Sequence, residues 1–175
     1  ENNALLLLSV PVAILIPLGI AAVLNERVFG WRFFRTVYFL PTAVSWVVIG
    51  MVAVRFFAQD GMLNHMLERI GFGAATTDML ADERSALVAV GITFVWSMVG
   101  TNTIIFLTGM ATLDPSLHEA ARVDGAGPLS IFWHITLPQL KRFVQFAFIM
   151  TVISAFTALF SLIFVMTGGG PGYGT

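Results

Sequence analysis

Four apolar stretches constrain this chain more than any other feature. They cover residues 4–24, 37–57, 86–110 and 143–165, and none carries more than an isolated charge. A helix needs about 20 consecutive apolar residues to cross the hydrocarbon of a bilayer, where only its own backbone can satisfy its peptide groups. The competing reading, buried helices of a water-soluble domain, requires a charged face opposite the core, and these stretches have almost none. Composition agrees: 57% of the 175 residues are hydrophobic and 11% charged, against about 25% charged in ordinary soluble domains. The expected fold is an all-α polytopic transmembrane helix bundle, read as one domain over 1–175. The first stretch follows Glu1, lacks a basic leader and is too long for a signal-peptide core, so it reads as a true span. An abrupt apolar start without Met suggests a piece of a longer chain.

Charge fixes an expected orientation. Arg27, Arg32, Arg35, Arg122, Lys141 and Arg142, six of the nine basic residues, fall in the loops on one side. Arg55, Arg69 and Arg84 fall on the other, among Asp60, Glu68, Asp78, Asp82 and Glu83. Cytoplasmic loops carry the excess of Lys and Arg, which puts loop 111–138 in the cytoplasm. Residues 58–85 and the terminal "TGGGPGYGT" are then extracytoplasmic. Within 58–85, Met62, Leu63, Met66, Leu67 and Ile70 recur at helical spacing, as in a short helix lying in the membrane interface. His65 decorates its polar side. A net charge of −1 gives no reason to expect a nucleic-acid partner.

The loop between the third and fourth stretches reads "EAARVDGAGPLSIFWHITLP" from Glu119 to Pro138. Asp114 is placed to cap a helix whose first residue is Pro115, where a missing N–H costs nothing. Gly125 ends that helix, Pro128 starts a second, and a third is expected from near Pro138 into the fourth span. Leu129, Ile131, Phe132, Trp133 and Ile135 are too many apolar groups for a solvated connector. They either pack back on this chain or enter a groove on a partner, and the pattern leaves both open. Each large side chain so buried contributes about 1.5–3 kcal/mol.

The run "EAARVDG", nine residues, then "ITLP" resembles the EAA loop of permease subunits of bacterial binding-protein-dependent ABC importers. "RFFRTVYFLP", "GMLNHML" and "TGGGPGYGT" extend the likeness to the carbohydrate-uptake branch, to its maltose-type F-like and glycerol-phosphate-type A-like subunits. The resemblance implies a protein of the bacterial cytoplasmic membrane that forms half of a translocation pathway. It would pair with a second, homologous permease subunit, two cytoplasmic ATPase subunits and an extracytoplasmic solute-binding protein. The solute would be a sugar or a related polyol or glycerol-phosphate compound. It further implies that Glu119, Ala120, Ala121, Asp124, Gly125, Ile135, Leu137 and Pro138 couple to the ATPase. Glu119 would lie at the contact, Ala120 and Ala121 would permit close approach, and Gly125 would make the turn. ATP and Mg would sit on the partner, leaving this chain without a cofactor. The family's pattern includes an N-terminal span and a last span beyond the four read here, so truncation at both ends is expected.

Nothing in the sequence suggests an enzyme. There is no GxxxxGK[ST] phosphate loop, and the histidines show no metal spacing. A pathway through the bundle would need polar groups. Thr151, Ser154, Thr157 and Ser161 share one helix face, and Ser97 and Thr101 align with Asn102 beside them. Asn102 is costly in lipid and should face a partner or a cavity. Packing between helices is the competing use both of it and of the small hydroxyl residues. Trp46 and Trp96 suit either a sugar ring or interface anchoring. Trp96, Thr101, Asn102, Thr151, Ser154 and Thr157 are the pathway candidates. Alternatives to a sugar permease are a permease for another solute, or a membrane scaffold or channel subunit that needs no ATPase.

Overall fold

The computed structural model describes residues 2–25, 36, 40–72 and 78–169. The basic residues Arg27, Arg32 and Arg35, most of "RFFRTVYFLP" and the end of "TGGGPGYGT" lie outside these. Among the described residues the regular structure is helical: α1 (Asn2–Asn25), α2 (Trp46–Phe57), α3 (Met62–Arg69), α4 (Glu83–Ala111), α5 (Pro115–Val123), α6 (Pro128–Ile131), α7 (Leu137–Gln139) and α8 (Lys141–Thr167). Four stretches of the described residues, Leu8–Asn25, Trp46–Arg69, Glu83–Ala111 and Lys141–Thr167, are long and apolar enough to cross a membrane.

The termini of these helices follow local chemistry. Asp82 accepts from the N–H groups of Arg84 and Ser85 at 3.1 and 3.3 Å, so α4 starts three residues before the apolar run does. Of the stretch read as 37–57, residues 37–39 lie outside the described residues, and the α-helix begins at Trp46. Leu40–Ala43 forms a single 3-10 turn around Pro41, and Ser45 caps α2 through the Val48 N–H at 3.5 Å. Proline lacks the donor a continuing helix would need, and a serine hydroxyl captures the first orphan amides. Twelve residues of α2 rise about 18 Å, and α3 follows after a bend. Asn64, buried, donates to the carbonyls of Gln59 and Ala58 at 2.8 and 3.3 Å and so fastens α3 to the end of α2. Its neighbours Met62, Met66 and Ile70 stay exposed.

Paired contacts give the direction of each span. Ser9 lies opposite Gly91, Ala13 meets Asn102, and the last turns of α1 share a cavity with Met110, so α1 and α4 run parallel. Thr151 of α8 meets Asn102 while Leu140 and Phe143 meet Gly109, so α8 runs opposite. Small residues line the crossings: Ala13, Ala21, Ala86, Ala89, Ala147, Ala155 and Ala158 are all buried. Lipid tails are as apolar as any core, so spans associate through close backbone approach rather than through the hydrophobic effect. Gly109 is the tightest approach. A Cβ there would stand 2.7 Å from the Phe143 ring and 2.8 Å from a Leu140 methyl. Outside the crossings the spans present Leu15, Met51, Phe148, Phe156, Phe160 and Phe164 outward. Water would not solvate such a wall, and lipid does.

Candidate functional site

The elbow between α4 and α8 gathers the sequence-predicted coupling residues at the end of the bundle where α1 terminates. Asp114 accepts from the Ser116 N–H at 2.9 Å, and Pro115 takes the first position of α5. That hydrogen bond holds the Asp114 carboxyl below its ordinary value. A depressed carboxylate supports the folded state above its unfolded pKa and loses that support as pH falls through the folded one. The cap is therefore intact at neutral pH.

At the other end of α5, Gly125 has φ +81°. Its N–H donates to the Arg122 carbonyl at 3.1 Å, and the Ala126 N–H reaches back to Ala121 at 2.9 Å. These two bonds are the pair that closes a helix in a Schellman motif. Two local devices thus define both ends of α5, although none of its residues is buried.

Beyond the turn, α6 passes into one π-helical turn, Phe132–Thr136, with the Leu137 N–H reaching the Phe132 carbonyl. A π turn accommodates one residue more than an α turn and shifts the side chains that follow. The short helix expected from Pro128 is α6 running into this turn, and the third, expected to run from near Pro138 into the fourth span, is interrupted at Leu140 between α7 and α8. Of the two uses left open for the apolar residues here, packing on this chain is realised by some side chains and not by others. Ile131 is buried, and Phe132 packs against the core. Leu129 and Trp133 point outward, 72% and 55% exposed. Trp133 stands edge-on to Phe132, ring centroids 5.7 Å apart.

One long-range contact locks the elbow. His118 Nε2 and Thr136 Oγ1 share a hydrogen bond of 3.0 Å, joining α5 to the buried Thr136 of the π turn. His118 was not among the coupling residues read from sequence, and a mid-helix histidine 18 residues from its partner carries no local signal. Between the elbow and the last turns of α1 lies a cavity of about 590 Å³ lined by Asn25, His118, Arg122, Leu129 and Phe132, among others.

Of the coupling set, Glu119, Ala120, Asp124, Gly125 and Pro138 are exposed, while Ala121, Ile135 and Leu137 are half-buried. Val123 is 87% exposed beside them. The elbow offers a partner an apolar surface with a carboxylate in it, on a backbone anchored at both ends.

The six pathway candidates divide. Trp96 is half-exposed and lines a cavity of about 360 Å³ with Phe56, Phe57 and Thr93. Thr101 and Thr157 are exposed and Ser154 half-buried, and the Thr157 hydroxyl donates back to the Ile153 carbonyl at 3.1 Å. Asn102 and Thr151 are enclosed and bonded to each other at 3.0 Å. Ser97 likewise donates to the Thr93 carbonyl at 2.8 Å. Trp46 stacks on Phe94 with centroids 6.1 Å apart.

A family model described as "Binding-protein-dependent transport system inner membrane component" matches residues 13–175. The chain belongs to this family. Among curated proteins it is 38% identical to the "Probable ABC transporter permease protein YurN" of Bacillus subtilis, over 87% of this chain and 53% of that protein. It is 34% identical to the sulfoquinovosyl glycerol transport system permease protein SmoG of Agrobacterium fabrum, over 97% and 54%. Identity is 32% to the multiple sugar-binding transport system permease protein MsmF of Streptococcus mutans, over 89% and 53%. The chain therefore spans little more than half the length of these permeases. Its fold matches that of a bacterial ABC transporter involved in alginate import, at 22% identity, covering 95% of this chain and 58% of that one, with a TM-score of 0.81. A second structure of an alginate ABC transporter, in complex with alginate pentasaccharide-bound periplasmic protein, matches at 24% identity, 95% and 58% coverage, and a TM-score of 0.82. Family membership places the chain in the inner membrane as a transport component.

Proposed function

We propose that this chain supplies one permease half of an ABC importer for a sugar or a related polyol or glycerol-phosphate compound. Its elbow, 111–138, seats on a cytoplasmic ATPase, with Glu119, Val123 and Leu129 toward the motor. The observation that carries this reading is the elbow itself. A solvated connector has no use for a capped helix, a closed Schellman turn and a cross-loop hydrogen bond beneath outward-facing Leu129 and Trp133. A mechanical linkage needs all of them, because force passes only through a rigid part. The charge asymmetry supports an elbow on the cytoplasmic side and α3 outside. The substrate class comes from the relatives, permeases of multiple-sugar and sulfoquinovosyl glycerol systems. ATP and Mg sit on the ATPase, and a binding protein delivers the solute from outside.

The test is ATP hydrolysis by the full-length protein assembled with its partner permease, ATPases and binding protein, across a panel of ligands. A sugar or polyol is expected to stimulate hydrolysis several-fold, and an amino acid or phosphate is not. Solute flux that persists without any ATPase subunit would replace this reading with that of an independent channel.

A further inference from the structure

Asn102 and Pro17 lie on different spans, yet each supplies what the other lacks. In an α-helix the carbonyl of residue 13 accepts from the N–H of residue 17. Residue 17 is proline, which has no N–H, so α1 carries an open carbonyl at Ala13, in the middle of a span and fully enclosed. Lipid offers no donor to it. Asn102 of α4, 1% exposed, donates its Nδ2 to that carbonyl at 2.7 Å. The same amide nitrogen donates at 3.0 Å to the Oγ1 of Thr151 on α8, itself fully buried. A primary amide has two N–H groups, and both are used, one toward each neighbouring span.

We infer that Pro17, Asn102 and Thr151 form a clamp that ties α1, α4 and α8 into one body at mid-membrane. Proline opens an acceptor that no residue of α1 can fill, and Asn102 is the group that fills it. This gives Asn102 a use other than lining a substrate path. If the proposed importer function holds, these three spans tilt together during transport rather than sliding past one another.

The clamp is tested first on the isolated full-length protein, by thermal unfolding in detergent, and so does not depend on the importer reading. Asn102→Leu, close in size but without a donor, is expected to lower the melting temperature by about 5 °C, the effect of one unsatisfied buried carbonyl. Pro17→Ala restores the N–H within α1. In that background Asn102→Leu is expected to cost less than half as much. Pro11→Ala is the control, because the carbonyl it closes is not the one Asn102 reaches, and it is expected to give no such relief. Equal costs of Asn102→Leu in all three backgrounds, or equal relief by Pro11→Ala, would overturn the clamp. Movement is read in the assembled transporter with spin labels on the outward-facing Leu15 of α1 and Ile92 of α4. Their separation is expected to stay constant between nucleotide-free and ATP-trapped states. A shift near one helical turn, about 5 Å, would show the spans sliding independently and overturn the rigid body.

Discussion

Replacing Gly125 with proline is expected to cut solute-stimulated ATP hydrolysis by the assembled transporter more than tenfold, with the spans still inserted. Gly125 sits at φ +81°, whereas proline is locked near −65°. Proline also removes the N–H that reaches Arg122, and the redirected chain pulls Ala126 off Ala121. Both bonds that end α5 are lost, and α6 leaves the turn in a new direction. A change of this kind costs about 3 kcal/mol where the backbone cannot comply, and every 1.4 kcal/mol is tenfold in an equilibrium such as docking. Gly125→Ala is the graded comparison. A Cβ there meets nothing within 4 Å, so only the left-handed backbone is penalised, by about 1–2 kcal/mol, and partial coupling should survive. Hydrolysis with and without loaded binding protein distinguishes the two variants. Equal activity of Gly125→Pro and the parent would mean that the elbow transmits nothing.

Gly109→Leu is expected to have the largest effect on stability. The Cβ alone would stand 2.7 Å from Phe143 Cγ and 2.8 Å from Leu140 Cδ2. Leu140 is fully enclosed and has nowhere to move. Overpacking of a tight core costs about 1–3 kcal/mol for modest enlargements, and leucine adds three carbons beyond the Cβ. The crossing of α4 and α8 must open, and it lies directly above the elbow. We expect a protein that fails to survive detergent extraction as a single species, with Gly109→Ala retaining a lowered melting temperature. Size-exclusion profiles and thermal unfolding check both. A Gly109→Leu variant as stable as the parent would contradict the α4–α8 packing described here.

How legible these features were in the sequence depends on how far each one reaches. The spans are visible because about 20 apolar residues in a row have few other uses. Asp114, Pro115 and Gly125 are visible because capping is settled within a few residues, and the structure places each in its expected role. The start of α2 was misjudged by hydropathy because Pro41 and Ser45 act through hydrogen bonding, which hydropathy does not register. The π turn at Phe132–Thr136 has no sequence signal of its own. Asn102 stood out as a costly polar residue, but its partner Ala13 is 89 residues away. Pro17 was the available clue, since an interior proline implies an open carbonyl four residues earlier. Linking the two requires knowing that α1 lies against α4.

The central claim is that the elbow seats on an ATPase. These 175 residues contain no cysteine, so once any cysteines elsewhere in the assembled full-length transporter are replaced, Val123→Cys gives a single cross-linking position, with Phe160→Cys on the outward face of α8 as reference. The account predicts that a short thiol-directed linker at position 123 captures the ATPase subunit in at least one nucleotide state, while position 160 never does. No capture at 123 in any state, or equal capture at 160, would contradict it.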